Sequence, residues 1–358
     1  MSTWPDTRIL DLLRIELPIV QAPMAGAQLS DLAIAVAQAG GLGSLPCAAI
    51  APEQVRREVA AFRQATTRPL NVNFFCHQPP AIDAQRDARW KEALLPYYRE
   101  FGLMPDPAVA AATRAPFDET LCALVEELRP EVVSFHFGLP PAPLLERVKA
   151  SGARVLSSAT TVEEAVWLER CGCDAIIAQG CEAGGHRGMF LGEDISRQPG
   201  TMALVPQIVD AVKVPVIASG GIGDARGIAA AFVLGAAAVQ LGTAYLFCPE
   251  ATIADVHRAA LRRARDDGTA LTNLYSGRPA RGIVNRLMRE LGPMSAAAPA
   301  FPLAGSALTP LRAKAEAAGS GDFQSLWAGQ AAALGREMSA TELTRRLAEE
   351  TLAKLAGA

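Results

Sequence analysis

The chain has 358 residues, half of them apolar and a fifth charged, with a net charge of −3. That is enough apolar material for a large core, in a length normal for an α/β barrel with additions. It provides no basic field to attract nucleic acid and no polybasic cluster for anionic lipid, and the longest apolar runs break at Gly, Pro or Gln well short of a membrane span.

Residues 6 to 17 read as a short amphipathic lead-in that plugs the underside of a core. Pro18 to Gly26 is a first strand ending in a glycine turn, and Ser30 or Asp31 caps the helix Leu32 to Ala39. Leu42 to Leu45 is a second strand, and Pro52 opens a helix that runs to about Thr66. Leu70 to Phe75 is a third strand with Asn73 near its end. Residues 76 to 116 break the rhythm with Pro79, Pro80, Pro96, Pro105, Pro107 and Pro116, and read as a long insertion over one mouth of the core. Phe117 to Leu128 is a helix, and Val132 to Gly138 is the fourth strand. A helix Pro143 to Ala150, a fifth strand Arg154 to Ser158 and a helix Thr161 to Arg170 follow, the last capped by Thr160 or Thr161. Asp174 to Gln179 is the sixth strand, apolar without alternation, as when both faces are covered. Met202 to Val212 is a helix, Val214 to Gly223 the seventh strand with its loop, Asp224 to Leu234 a helix, and Ala238 to Thr243 the eighth strand.

Eight strands separated mostly by helical patterns favour a (β/α)8 TIM barrel over a doubly wound sheet. The expected division is a barrel over residues 1–250 and a C-terminal helical extension over 251–358, packed on the barrel because no linker separates them. In the extension, helices are expected at 254–264, 308–318, 323–333 and 340–356, with a loop around Tyr275 to Gly282.

The chemistry concentrates where strands end. Gly220 and Gly221 follow the seventh strand, and Gln240, Leu241, Gly242 and Thr243 close the eighth. In barrels, the loops after these two strands often hold a phosphate on backbone N–H groups. The run Gly220-Gly-Ile-Gly223 lacks the spacing of a dinucleotide fingerprint. Asn73 and Gln179 offer uncharged amides that donate and accept along the edge of a heteroaromatic ring, and the Ala22-Pro23-Met24 backbone flanks the same space. One phosphate and one ring suit FMN, whereas few basic residues support the second phosphate of FAD or NAD. After the sixth strand, Gly184 and Gly185 let a planar ligand approach the backbone.

Four stretches carry a family resemblance: Gln179-Gly-Cys-Glu-Ala-Gly-Gly-His-Arg-Gly188, Ser134-Phe-His-Phe-Gly138, Ala218-Ser-Gly-Gly-Ile222 and Gln21-Ala-Pro-Met-Ala25. From about Pro18 to Thr243, and weakly beyond, the chain resembles the FMN-dependent nitronate monooxygenases, also called 2-nitropropane dioxygenases. The resemblance implies oxidation of alkyl nitronates, such as propionate 3-nitronate, with O2 to a carbonyl compound and nitrite. It implies FMN contacts at Asn73, Gln179, Gly184, Gly221 and Gln240 to Thr243, and a catalytic histidine at His136. His136 breaks an apolar strand end between Phe135 and Phe137. An ordinary pKa near neutrality lets it act as a base on a neutral nitroalkane or, protonated, pair with a nitronate. Related flavin barrels share the glycine loops, so an NAD(P)H-dependent FMN reductase of quinones or enoyl thioesters is the second reading. A non-redox phosphate-ligand barrel is the third.

His186 borders the flavin or the substrate anion. His77 ends the third strand, and His257 reads as a solvated residue of a surface helix. Arg187, Arg278 and Arg281 are each either a carboxylate fork or a solvated loop residue. Tyr275 is a candidate for a lid, and Trp327 to Gln330 another stretch that reaches the site. Seven cysteines, an odd number without a C-x-x-C pair, read as reduced cytoplasmic thiols, and no metal site is expected. No secretory signal is visible, and the oligomeric state stays open.

Overall fold

The computed structural model describes residues 4–105 and 115–357. Pro107 of the insertion lies outside the described residues.

The chain order of strands is β1 (Ile19–Gln21), β2 (Gly43–Pro46), β3 (Leu70–Phe75), β4 (Val132–His136), β5 (Arg154–Ala159), β6 (Ala175–Gln179), β7 (Gly185–His186), β8 (Val216–Ser219), β9 (Ala238–Leu241), β10 (Thr269–Thr272) and β11 (Ala280–Ile283). All strands except β7, β10 and β11 form one parallel sheet in the order β1-β9-β8-β6-β5-β4-β3-β2. A parallel bridge between Val20 and Leu42 brings its two edges together. The Gln21 and Leu42 amides donate to Leu42 and Ile19 carbonyls, each at 2.9 Å, so the sheet closes as a TIM barrel. The expected seventh and eighth barrel strands are therefore β8 and β9.

The strands read as unbroken apolar runs because alternate residues serve two cores. Val72, Phe74, Val133, Phe135, Val155, Ile176, Val239 and Leu241 point outward beneath the helices. Val20, Leu42, Leu156, Ile177 and Ile217 fill the lower interior with Ile9 and Leu13 of the helix Arg8–Leu13. This helix is the bottom plug, and each such buried side chain is worth about 1.5–3 kcal/mol. Toward the carboxyl ends the inward positions turn polar. Asn73 pairs in register with Ser134, and Gln179, Ser219 and Gln240 form one layer across β6, β8 and β9.

The last helix, Ala340–Ala356, packs between Ser30–Gln38 and Ala225–Val233, where the helix after β9 completes the ring. Tyr245 and Thr344 join it to the segment after β9 through a 2.7 Å hydrogen bond. The insertion forms a helix, Ala84–Glu100, whose Trp90, Leu94, Tyr97 and Tyr98 share a second core with Leu274, Leu287, Leu311 and Phe323 of the extension. Trp90 Nε1 donates to the Ala304 carbonyl at 3.0 Å.

Two features of the extension differ from expectation. It is not purely helical: β11 pairs antiparallel with β10 and with β7, which belongs to the loop after β6. The helix expected at 323–333 is also absent; Trp327 bridges Gly282, and only Ala332–Leu334 makes a 3₁₀ turn. Alanine-rich composition favours helix locally, but pairing with β11 and close packing of Gly329 on Gly184 override it.

Candidate active site

One cavity of about 410 Å3 opens at the carboxyl ends of the barrel strands. It falls within the roughly 300–1,000 Å3 typical of small-molecule sites. Ala22, Pro23 and Met24 after β1, Asn73 on β3, His136 on β4 and Gln179 on β6 line it. So do Gly184, Gly185 and His186 in the next loop, Gly220 and Gly221 after β8, and Gln240, Gly242 and Thr243 at the end of β9. Leu241 is the exception: alternation turns its side chain into the outer core, leaving its carbonyl to accept the Ala22 amide at 2.8 Å. Among the described residues, no Asp, Glu, Lys or Arg lines this cavity.

The glycine loops use backbone conformations and close approaches that side chains would disturb. Gly220 and Gly221 take φ of +105° and +70°, which L side chains rarely adopt. At Gly242 a Cβ would meet only Ala22 and Met24, at 3.5 and 3.7 Å, so the missing side chain leaves room toward the cavity. On the floor, Gln240 Oε1 is buried with no hydrogen-bond partner among the described residues. An unsatisfied buried acceptor costs about 1–3 kcal/mol unless a ligand meets it.

The loop after β6 is held by its own polar groups. Gln179 Nε2 donates to the His186 carbonyl at 3.0 Å, and its Oε1 accepts the Gly188 amide at 2.7 Å. Arg187 is fully buried and donates to the carbonyls of Gln179 and Gly180 and to Gln198. It is neither a fork for substrate nor solvated, and burial lowers its pKa to about 10. Arg281 donates to the Cys181 carbonyl and Thr269 Oγ1. Arg278 lies over Phe137, 4.1 Å from the ring centroid, and donates to the Met189 carbonyl. All three guanidiniums brace loops outside the cavity wall. Tyr275 also lies behind the wall, edge-on to Trp327, with its hydroxyl donating to Asn285 at 2.6 Å.

His136 ends β4 on the cavity wall. Its Nδ1 stands 3.0 Å from Ser158 Oγ, and its Nε2 stands 3.2 Å from the His186 carbonyl. Phe137, next in the chain, takes a left-handed φ of +70° that costs a non-glycine residue about 1–2 kcal/mol. Packing on Phe75 and Phe301 and under Arg278 holds this turn. Burial lowers the His136 pKa to about 4; the His186 carbonyl opposes this, and Arg278 and Arg187 reinforce it. That shift favours the neutral ring over the imidazolium, one of the two roles open to it, near pH 7. His77 sits outside the cavity wall, among the rings of Phe75, Phe137 and Phe301.

A profile of the nitronate monooxygenases matches residues 6–350. The chain belongs to this family. Nitronate monooxygenases of Pseudomonas aeruginosa and Paraburkholderia phytofirmans are 45% and 43% identical over 346 residues. Those alignments cover 96% of this chain and 98% and 94% of the relatives. Among solved structures, nitroalkane oxidase from Streptomyces ansochromogenes superposes with a TM-score of 0.87 at 38% identity, covering 98% of this chain and 99% of its own. FabK from Thermotoga maritima gives a TM-score of 0.73 at 29% identity, with 98% of both chains covered. Like other nitronate monooxygenases, the chain is a flavin-dependent oxidoreductase. Among the described residues, no helix is long and apolar enough to cross a membrane.

Several residues at or behind the cavity wall had little signal in the sequence. Ser158 was readable in principle, since it shares an inward face with Leu156. Gly188 gave no sign of its role: a Cβ there would lie 2.8 Å from His136 Cε1, so only glycine lets the loop rest on the imidazole. His257 was expected to be solvated. Instead it lines the cavity and bonds the Trp327 carbonyl at 3.1 Å, because the 324–329 segment folds over its helix. Trp327 itself lines the mouth, as the sequence suggested.

Burial lowers His257 as well, to about 4, so both His136 and His257 stay neutral when folded but charge readily when unfolded. Between about pH 4 and their ordinary value near 6.5, the unfolded chain binds more protons. Their stabilising contribution is complete above pH 6.5 and is lost as pH falls through 4. The thermal unfolding midpoint should fall steadily from pH 7 to 4.5, and a flat profile would contradict the lowered pKa of both rings.

Proposed function

We propose that the chain binds FMN noncovalently in this cavity and oxidises alkyl nitronates, such as propionate 3-nitronate, with O2 to a carbonyl compound and nitrite. The observation that carries the reading is the division of an uncharged wall into two parts. Amides and an imidazole stand at the ends of β3, β4, β6 and β9, and left-handed or side-chain-free glycines follow β8 and β9. Backbone N–H groups at Gly220, Gly221, Gly242 and Thr243 would hold the single phosphate. Asn73, Gln240 and the Ala22-Pro23-Met24 backbone would meet the ring edge; Gln179 chiefly fixes the loop that carries Gly184, Gly185 and His186. Bound FMN supplies the electron acceptor for a substrate that has already lost its proton.

The residues around it orient that substrate and exclude water. His136 presents its imidazole from the wall, and His186 and Trp327 narrow the mouth. A nicotinamide dinucleotide would bring a pyrophosphate for which the described wall holds no cation, which disfavours the reductase reading. Heating the purified protein should release FMN, identified by chromatography, and the intact protein should consume oxygen with alkyl nitronates. FAD, or no flavin after reconstitution, would defeat the reading.

A further inference from the structure

We infer that Ser158 is a positioning residue: while the His186 carbonyl sets the His136 tautomer protonated at Nε2, the Ser158 hydroxyl engages Nδ1 and holds the ring as a neutral hydrogen-bond donor to the nitronate. The inference rests on the reading that His136 faces substrate. A backbone carbonyl can only accept, so the bond between His136 Nε2 and the His186 carbonyl places the proton on Nε2. The lone pair on Nδ1 then faces Ser158 Oγ at 3.0 Å, and the hydroxyl donates to it.

The surroundings enforce this choice. The His186 carbonyl also accepts Gln179 Nε2, whose amide orientation is fixed because its Oε1 accepts the Gly188 amide. A Cβ at Gly188 would stand 2.8 Å from His136 Cε1 and 3.0 Å from Ser158 Cβ, so the loop closes on both partners. No carboxylate lines the cavity wall among the described residues, so none is placed there to favour a second ring proton. The charged and titratable groups around the ring are Arg278, stacked on Phe137, Arg187, tied to carbonyls, and the His186 imidazole, bonded to Ser276. The 3.2 Å contact to the His186 carbonyl is long for an N–H donor, so a nitronate oxygen, which accepts more strongly, can replace it. The Nδ1 lone pair, a base in principle, is occupied by Ser158. Ser158 thus favours a preformed nitronate over proton removal from a neutral nitroalkane.

The test is ¹⁵N NMR of histidine-labelled holoprotein at pH 7, with His136 assigned by difference from His136→Asn. The expected ring is neutral and protonated at Nε2. In Ser158→Ala, the ring should stay protonated at Nε2 but its Nδ1 resonance should shift as the lone pair loses its donor, kcat on a nitronate should fall about tenfold, KM should stay within about twofold, and flavin content should not change. A wild-type ring protonated at Nδ1, or doubly protonated, overturns the inference, as does a Ser158→Ala protein with unchanged Nδ1 resonance and kcat. Failure of the underlying reading looks different: His136→Ala would then keep full nitronate activity whatever its tautomer.

Discussion

Replacing His136 with alanine should slow flavin reduction by an alkyl nitronate by roughly 10²- to 10³-fold, the usual effect of removing one preorganised donor from a developing charge. The ring is neutral, so the loss is of a hydrogen bond and not of a countercharge. Flavin content should not change, because the glycine loops proposed to hold the phosphate follow β8 and β9 while His136 ends β4. His136→Asn separates the two possible roles. Its amide keeps a donor but no base, so it should retain part of the nitronate rate. Any turnover of neutral nitroalkanes, which needs a base worth roughly 10² to 10⁴, should disappear. Stopped-flow reduction under anaerobic conditions reads each rate. An alanine variant reduced as fast as wild type would leave His136 a packing residue.

Gly242→Leu should cost the protein its flavin while leaving its fold. Gly242 has a φ of −110°, which any residue adopts, and a Cβ there makes only ordinary contacts. The branched end of leucine would instead enter the space before the Thr243 amide. Affinity for FMN should fall by about 10²-fold, or about 2.7 kcal/mol, measured by fluorescence titration of the flavin-free protein. Gly221 is a poorer probe, because its left-handed φ would strain any replacement and mix stability with binding. A Gly242→Leu protein with full affinity would place the phosphate elsewhere.

The sequence exposed the barrel because its signal is local and repeated: covered strands, helical stretches between them, and glycines or amides at strand ends. Asn73, His136, Gln179 and the paired glycines were readable because a barrel puts its chemistry at those ends. What stayed hidden depends on contacts between distant segments. His257 looks solvated on its own helix and is covered only when Trp327 folds across it. Arg187 looks like a ligand for an anion and is consumed by two carbonyls of its own loop. The alanine-rich stretch near 323–333 favours a helix until β11 offers it a partner. Gly188 matters because of the imidazole beneath it, a contact between β4 and a loop some fifty residues later.

The central claim is that the cavity serves a nitronate and not a nicotinamide nucleotide. Anaerobic mixing of the flavin-loaded protein with propionate 3-nitronate, and separately with NADH, tests it most directly. The expected result is loss of the flavin's visible absorbance with the nitronate and none with NADH. Rapid bleaching by NADH, with the nitronate inert, would contradict the account and make the protein a reductase.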